Sequence, residues 1–417
     1  MKFVEPADGI DGIARAPPSK SVMQRALAIA CLARGKSRIL NPSFCDDSAA
    51  AIGAIRALGA KVSVSGDCVE VEGRGIPGPA GGTIDCIESG LCARMFTPVA
   101  SLSGGEFTIT GKGPLASRPM GMAEKPLVSL GVRFNSSGGK LPVTVRGPLR
   151  GGKAEVDGAV SSQFLTGLLI ALPVCGADSV IDVAVLKSRE YAAMTIKVAS
   201  CFGVKIINEN YERFLIGGNQ RYFPGDFTVE GDWSGASFLL VAGAICGMVK
   251  VTDLRMDSLQ PDRKILGVLE AAGAKVGKGK DFVVAEKPFG QLKSFYFDAT
   301  DCPDLFPPLA ALACACKGRS RIKGAERLAH KESDRASSLV EEFSKMGASL
   351  RVDGDYIEIQ GGKKLAGGTV DSHNDHRIAM ACAVAGLTSE KGVHIEGEDC
   401  VSKSYPGFFR DLEGMRR

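Results

Sequence analysis

Cations stand at points in this chain where helices are expected to begin. Lys20, Arg25, Arg94 and Arg377 fall in or near the first turns of apolar stretches such as "KSVMQRALAIACLA" and "HRIAMACAVAGL". Arg118, Arg189, Lys331, Arg335 and Lys403 accompany a second series of starts, among them "SRPMGM", "SREYAA", "HKESDR" and "SKSYPG". The helix macrodipole is positive at that end, so each cation is locally unfavourable. A bound anion would offset the cost, because guanidinium forks, ammonium groups and free helix N–H groups all donate to it. Polar groups keep the same phase: Ser19-Lys20-Ser21, Glu88-Ser89-Gly90, Ser161-Ser162-Gln163, Asp304, and Asn374 or Asp375 as a cap before His376. Such a set suits a small phosphorylated carboxylic acid better than a nucleic acid, since the cations are spread over separate loops. Taken singly the signals are bland. "KESDR" reads as a solvated helix start, "SSQ" as a cap, and His376 as a satisfied structural histidine. Their shared phase is what carries weight.

The elements that position these residues recur. "ALGAKV", "SLGVRF", "CFGVKI", "AAGAKV" and "KMGASL" each close an amphipathic segment with a glycine that fits a left-handed C-cap. Those glycines, 59, 131, 203, 273 and 347, are spaced by about 70 residues, and Gly414 continues the series. Six apolar helices keep the same period, each followed by a short alternating strand, a second helix and a hairpin such as "KVSVSGDCVEVEG". The expected fold class is therefore α/β with mixed sheets, in two similar lobes, each a pseudo-threefold repeat of a helix-strand-helix-hairpin unit. The sixth unit lacks a hairpin, and residues 1–17 are expected to complete it. The lobes would then be 18–229 and 1–17 plus 230–417, with the active site in the cleft between them and a hinge of two chain crossings that invites closure over a ligand.

The chain has 417 residues, 45% of them hydrophobic and 24% charged, with a net charge of +4. The absence of long basic runs argues against nucleic-acid or membrane-surface partners. The first twenty residues lack an apolar signal core, and "SFLLVAGAICGMV" is too short to span a bilayer. Thirteen scattered cysteines, with no CxxC pair, read as buried thiols in a reducing cytoplasm. The one HxxH, His373 and His376, has no cysteine ligand motif beside it, so no metal site is expected.

The stretches "PSKSVMQRALAIACLA", "GKGPLASRPM", "DGAVSSQFLTGLLIALP", "GDWSGASFLL", "HKESDR", "DSHNDHRIAMACAVAG" and "SKSYPGF" run in order from about residue 16 to 409. Together they closely resemble the enolpyruvyl transferases, specifically the 3-phosphoshikimate 1-carboxyvinyltransferase family. The resemblance implies two threefold-repeat lobes closing on substrate. The implied reaction joins shikimate 3-phosphate and phosphoenolpyruvate with release of phosphate, on the route to chorismate and aromatic amino acids, without cofactor or metal. It also implies residue roles. Lys20, Ser21, Arg25, Ser161, Ser162, Gln163, Ser188, Asp304 and Lys331 are the expected shikimate 3-phosphate contacts. Lys20, Gly90, Arg118, Gln163, Arg335, Arg377 and Lys403 are the expected phosphoenolpyruvate contacts. Asp304 resembles the family's proton acceptor and Glu332 its second acid/base carboxylate, with Lys20 the third catalytic group. The chain departs from the family pattern at Glu88-Ser89-Gly90-Leu91, where Asn-Ala-Gly-Thr is usual, and at Ala329, where a basic residue is common. Transfer to another acceptor such as a UDP-sugar is the alternative; its hallmark cysteine is missing from "LASRPM". A non-catalytic anion-binding protein is the other alternative, opposed by the complete set of Lys20, Asp304, Glu332, Arg335, Arg377 and Lys403. The chain is expected to act as a monomer.

Overall fold

The computed structural model describes residues 1–159, 162–329 and 331–417. Two strands come first, β1 (Lys2–Val4) and β2 (Ile10–Arg15). The first repeat is α1 (Lys20–Leu32), β3 (Gly35–Leu40), α2 (Asp46–Ala57), β4 (Lys61–Ser65) and β5 (Cys68–Gly73). The second is β6 (Gly82–Asp85), α3 (Gly90–Ala100), β7 (Glu106–Thr110), α4 (Glu124–Ser129), β8 (Arg133–Ser137) and β9 (Lys140–Arg146). The third is β10 (Lys153–Asp157), α5 (Ser162–Ala171), β11 (Ser179–Ala184), α6 (Arg189–Cys201), β12 (Ile206–Glu209) and β13 (Arg213–Ile216). The fourth is β14 (Asp226–Thr228), α7 (Trp233–Cys246), β15 (Gly247–Thr252), α8 (Ile265–Ala271), β16 (Lys275–Lys278) and β17 (Phe282–Glu286). The fifth is β18 (Tyr296–Asp298), α9 (Phe306–Ala315), β19 (Gly318–Lys323), α10 (Arg335–Lys345), β20 (Ser349–Asp353) and β21 (Tyr356–Gly361). The sixth is β22 (Gly368–Asp371), α11 (His376–Gly386), β23 (Val393–Glu396) and α12 (Phe408–Glu413).

The α/β class with mixed sheets is what the structure shows. Each repeat also has a short leading strand that the sequence reading left out. In the second repeat β6 runs parallel to β7 and α3 makes the crossover, while β9 and β8 add an antiparallel hairpin, giving the order β6-β7-β9-β8. The third and fifth sheets repeat this order. The first and fourth have exchanged leading strands. β2 leads into α1 but pairs with β15, Ile10 opposite Gly247, whereas β14 leads into α7 but pairs with β3, Asp226 opposite Arg38. β1 lies antiparallel to β23 and stands where the sixth hairpin would be. Of residues 1–17, then, β1 serves the sixth sheet and β2 the fourth.

The chain divides into two compact units, Met1–Pro17 with Glu230–Arg417, and Pro18–Val229. Each has its own apolar core, built around α7, α9 and α11 in one and α1, α3 and α5 in the other. Every residue of α3, α7 and α11 is buried, which is why these helices read as apolar all round rather than amphipathic. Gly59, Gly131, Gly203, Gly273 and Gly347 have φ of 96°, 86°, 86°, 89° and 86°, as helix ends leading into a hairpin require. Gly414 does not follow them. Its φ is −64°, and no hairpin comes after it. No helix among the described residues is long and apolar enough to cross a membrane.

Ile10 is 1% exposed in β2 and belongs to the core of the split unit. Ile10→Ala should lower stability in urea unfolding by about 2–5 kcal/mol. Val64→Ala, at a half-exposed position of β4, should change it by less than about 0.5 kcal/mol.

Candidate active site

In the split unit the expected residues gather around one guanidinium. Arg335, the first residue of α10, is 1% exposed. Its Nε donates to Asp375 Oδ2 at 2.7 Å, its Nη1 to Asp304 Oδ1 at 2.7 Å, and its Nη2 to Glu332 Oε2. Asp304 comes from the 3-10 turn entering α9, Glu332 from the loop before α10, and Asp375 from the start of α11. Burial opposes a charge on Arg335, but Asp375, Glu332 and Asp304 together hold its pKa above the ordinary arginine value. The Asp304 and Glu332 side chains are each 21% exposed, so the two carboxylates form a reachable rim over a sealed cation.

Arg377 answers the question its position raised. It is 3% exposed, and its Nη2 donates to Asp304 Oδ2 at 3.1 Å. Asp375 caps the helix, accepting from Arg377 N at 3.0 Å, so an anionic cap and a neighbouring carboxylate together compensate the misplaced cation. Lys331 Nζ lies 3.7 Å from Asp304 Oδ1. Burial alone would raise the Asp304 carboxyl; Arg377, Lys331 and Arg335 overcome that and hold it well below the usual carboxylate range, against the opposing charge of Glu332. Burial pulls the Lys331 ammonium down to about 8, with Asp304 working against the shift. Lys403, at the end of the 3-10 segment Glu398–Lys403, donates to Asn374 O at 2.6 Å. His373 and Asn374 both have left-handed backbones, with φ of 51° and 54°.

In the continuous unit the cations rest largely on neutral partners. Arg25 is 1% exposed and donates to Thr195 Oγ1 at 2.9 Å, Ser21 O at 2.7 Å and Thr166 Oγ1 at 3.2 Å, tying α1 to α5 and α6. Burial brings its pKa down to about 10. Lys20 Nζ pairs with Asp47 Oδ2 at 2.9 Å. Gln163 Oε1 accepts from Arg94 Nη1 at 2.7 Å, and Arg94 Nη2 reaches Pro119 O at 3.1 Å. Gly90 opens α3 beneath this group. A Cβ there would lie 2.6 Å from Arg118 Nη1, 3.4 Å from Arg94 Nη1 and 3.6 Å from Gln163 Oε1, so these three side chains converge over the glycine. Arg118 follows a 3-10 turn, Gly113–Ser117, rather than starting a helix. Ser162 is buried in the first turn of α5, and Ser188 is buried before α6 with φ of 57°. Ser161 lies outside the described residues.

Three participants are not among the expected site residues. Arg94 is legible as a first-turn cation and Asp375 as a cap, while Asp47 lies in the first turn of α2, in phase with the other second-helix starts. The HxxH pair separates. His373 Nε2 lies 2.6 Å from Glu342 Oε1, with Glu341 close by, so these three residues offer donors within 4.8 Å of one another. Lys345 Nζ sits 2.8 Å from Glu342 and 3.1 Å from Glu341, so both carboxylates already have a cation beside them.

A threefold-repeat α/β chain with carboxylates and buried cations at its helix starts has the character of an enolpyruvyl transferase. Residues 4–412 match the EPSP synthase family, 3-phosphoshikimate 1-carboxyvinyltransferase, and the chain belongs to that family. It is 39% identical over 414 residues to the 3-phosphoshikimate 1-carboxyvinyltransferase of Clostridium novyi, covering 97% of this chain and 95% of the relative. It is 41% identical over 403 residues to that of Aeropyrum pernix, covering 97% and 93%. The fold matches EPSP synthase from Acinetobacter baumannii with a TM-score of 0.82 at 24% identity, over 99% of this chain and 98% of that one. It also matches the enolpyruvyl transferase NikO from Streptomyces tendae with a TM-score of 0.79 at 18% identity, over 99% and 96%.

Asp375 is fully buried and serves both Arg335 and the α11 cap. Asp375→Ala should destabilise the protein by about 3–5 kcal/mol in urea unfolding, because it takes from buried Arg335 its one fully buried carboxylate partner and leaves its Nε without an acceptor. Asp334→Ala removes only the exposed cap of α10 and should cost about 1 kcal/mol.

Proposed function

We infer that this chain transfers the enolpyruvyl group of phosphoenolpyruvate to the 5-hydroxyl of shikimate 3-phosphate, releasing phosphate by addition and elimination through a tetrahedral intermediate. This places it in chorismate and aromatic amino acid biosynthesis. The observation that carries the reading is Asp304, a reachable carboxylate tied to Arg335, Arg377 and Lys331 within a chain of this family. A carboxylate bound by three cations is a weak base. Substrate anions that draw the arginine forks away from Asp304 would restore its basicity at the moment the 5-hydroxyl must lose its proton. Glu332, sharing Arg335, is placed as the second acid/base group, and Lys20 as the third.

In this reading Arg335, Arg377 and Lys403 bind phosphoenolpyruvate from one unit, while Lys20, Gly90, Arg118 and Gln163 bind it from the other. Shikimate 3-phosphate takes Lys20, Ser21, Arg25, Ser161, Ser162, Gln163, Ser188, Asp304 and Lys331. That the two sets meet over one substrate pair is part of the proposal. So are a single chain as the working unit and a cytoplasmic location, the latter supported by thirteen free thiols. A UDP-sugar acceptor is not favoured, since the matched relatives are 3-phosphoshikimate 1-carboxyvinyltransferases.

Phosphate should appear only when shikimate 3-phosphate and phosphoenolpyruvate are supplied together. Its absence, or its appearance with UDP-N-acetylglucosamine instead, would overturn the reading. Arg377→Lys keeps the charge and loses the planar fork, so kcat/KM for phosphoenolpyruvate should fall about ten- to a hundredfold, with binding of shikimate 3-phosphate alone little changed.

Lys331 provides a pH test. A bound phosphate favours its charged form, so affinity for shikimate 3-phosphate should be full below the ammonium's pKa of about 8. Above that value binding must first recover a proton, and Kd should rise by up to about tenfold per pH unit. Calorimetry from pH 6.5 to 9.5, as roughly spanning that pKa, should show this slope in the parent and not in Lys331→Met.

A further inference from the structure

Behind the phosphoenolpyruvate cations stands a carboxylate with no assigned role. Asp262 lies in the 3-10 turn Pro261–Lys264 and is 2% exposed. Its Oδ2 accepts from Ser234 Oγ, in the first turn of α7, at 2.6 Å. Its Oδ1 is buried and has no hydrogen-bond partner among the described residues, and the same is true of Arg377 Nε. The charges bearing on Asp262 are Asp304 and Asp232, which repel it, and Arg377, which attracts it. Reciprocally, Asp304 and Asp262 both favour the charge on Arg377. A buried carboxylate with a bare oxygen is costly, and a scaffold role alone would be met by an amide or hydroxyl.

The first repeat shows what this position does when its partner is close. There Asp47, opening the second helix, holds the first-turn cation Lys20 at 2.9 Å. In the fourth repeat the residue reached in the first turn is the neutral Ser234, so the carboxylate's countercharge comes from the start of α11 instead.

We propose that Asp262 is a positioning residue for Arg377, a buried countercharge that keeps the guanidinium in place when it leaves Asp304 for the substrate anion. This rests on the reading of Arg377 as a phosphoenolpyruvate ligand. Asp304 is the carboxylate bonded to Arg377; without Asp262 the charge on Arg377 would rest on Asp304 and Asp232 alone, and the substrate anion would have to compete harder for it. The environment agrees with such pairing. Burial and Asp304 push the Asp262 carboxyl up to about 7, while Arg377 pulls it down, so its ionisation depends on where the guanidinium sits.

The test is Asp262→Asn, which keeps the side chain's size and an acceptor for Ser234. If Asp262 positions Arg377, KM for phosphoenolpyruvate should rise about tenfold. The dissociation constant for shikimate 3-phosphate should stay within about twofold, and the protein should stay folded, because Arg377 keeps its bond to Asp304. A folded Asp262→Asn protein with an unchanged KM for phosphoenolpyruvate would overturn the proposal. Should that variant fail to fold, Ser234→Ala loosens Asp262 without removing it. It should raise the same KM by a smaller factor, and an unchanged value there overturns the proposal equally. Absence of phosphate release by the parent protein would instead defeat the functional reading itself, before any variant is made.

Discussion

A guanidinium in a low-dielectric interior is stable only if its charge is answered at hydrogen-bond distance, and Arg335 places that demand on three separate pieces of chain. Asp304 enters from the start of α9, Glu332 from the loop before α10, and Asp375 from the cap of α11. None of the three is near the others in sequence, and only Glu332 is near Arg335 itself. Satisfying one cation therefore fixes the relative placement of three helix starts, and with them Arg377 and Lys331. The same arrangement holds the Asp304 carboxyl well below the usual carboxylate range. Stability and the ionisation of Asp304 are set by one network, so a substitution there changes both.

The continuous unit solves the same problem differently. Arg25 and Arg94 are buried against hydroxyls, carbonyls and an amide, and Lys20 leans on Asp47. Neutral partners orient a cation without cancelling it. One unit thus ties its cations to a cluster of carboxylates, while the other orients Arg25 and Arg94 through hydroxyl, carbonyl and amide oxygens.

How much of this was legible depended on whether the cause was local. The five hairpin-forming glycines were legible because each must adopt a positive φ that other residues resist, and period alone then revealed six repeats. Gly414 shares the spacing but not the hairpin, and so lacks the conformation. The leading strands β6, β10, β14, β18 and β22 were not legible. They run three to five residues and owe their existence to a partner beyond the next helix. The cations at helix starts announced themselves by violating a local rule. Their carboxylate partners were legible unevenly: Asp304 kept the phase of the helix starts, Glu332 was named only through the family resemblance, and Asp375 looked like an ordinary cap.

The exchanged strands have a consequence for how the chain comes into being. The continuous unit has all its partners by Val229, where β14 has just supplied the edge beside β3. The split unit cannot do the same. β2 emerges early but waits for β15, Ile10 for Gly247, and β1 waits for β23, Lys2 for Ile395. During synthesis one unit can close while in the other β2 and the apolar Ile10 stay unpaired until β15 is made, and β1 until β23 is made. Loop-closure entropy across that span makes its completion the slow event, and the vectorial order of translation becomes an order of assembly, continuous unit first and split unit last.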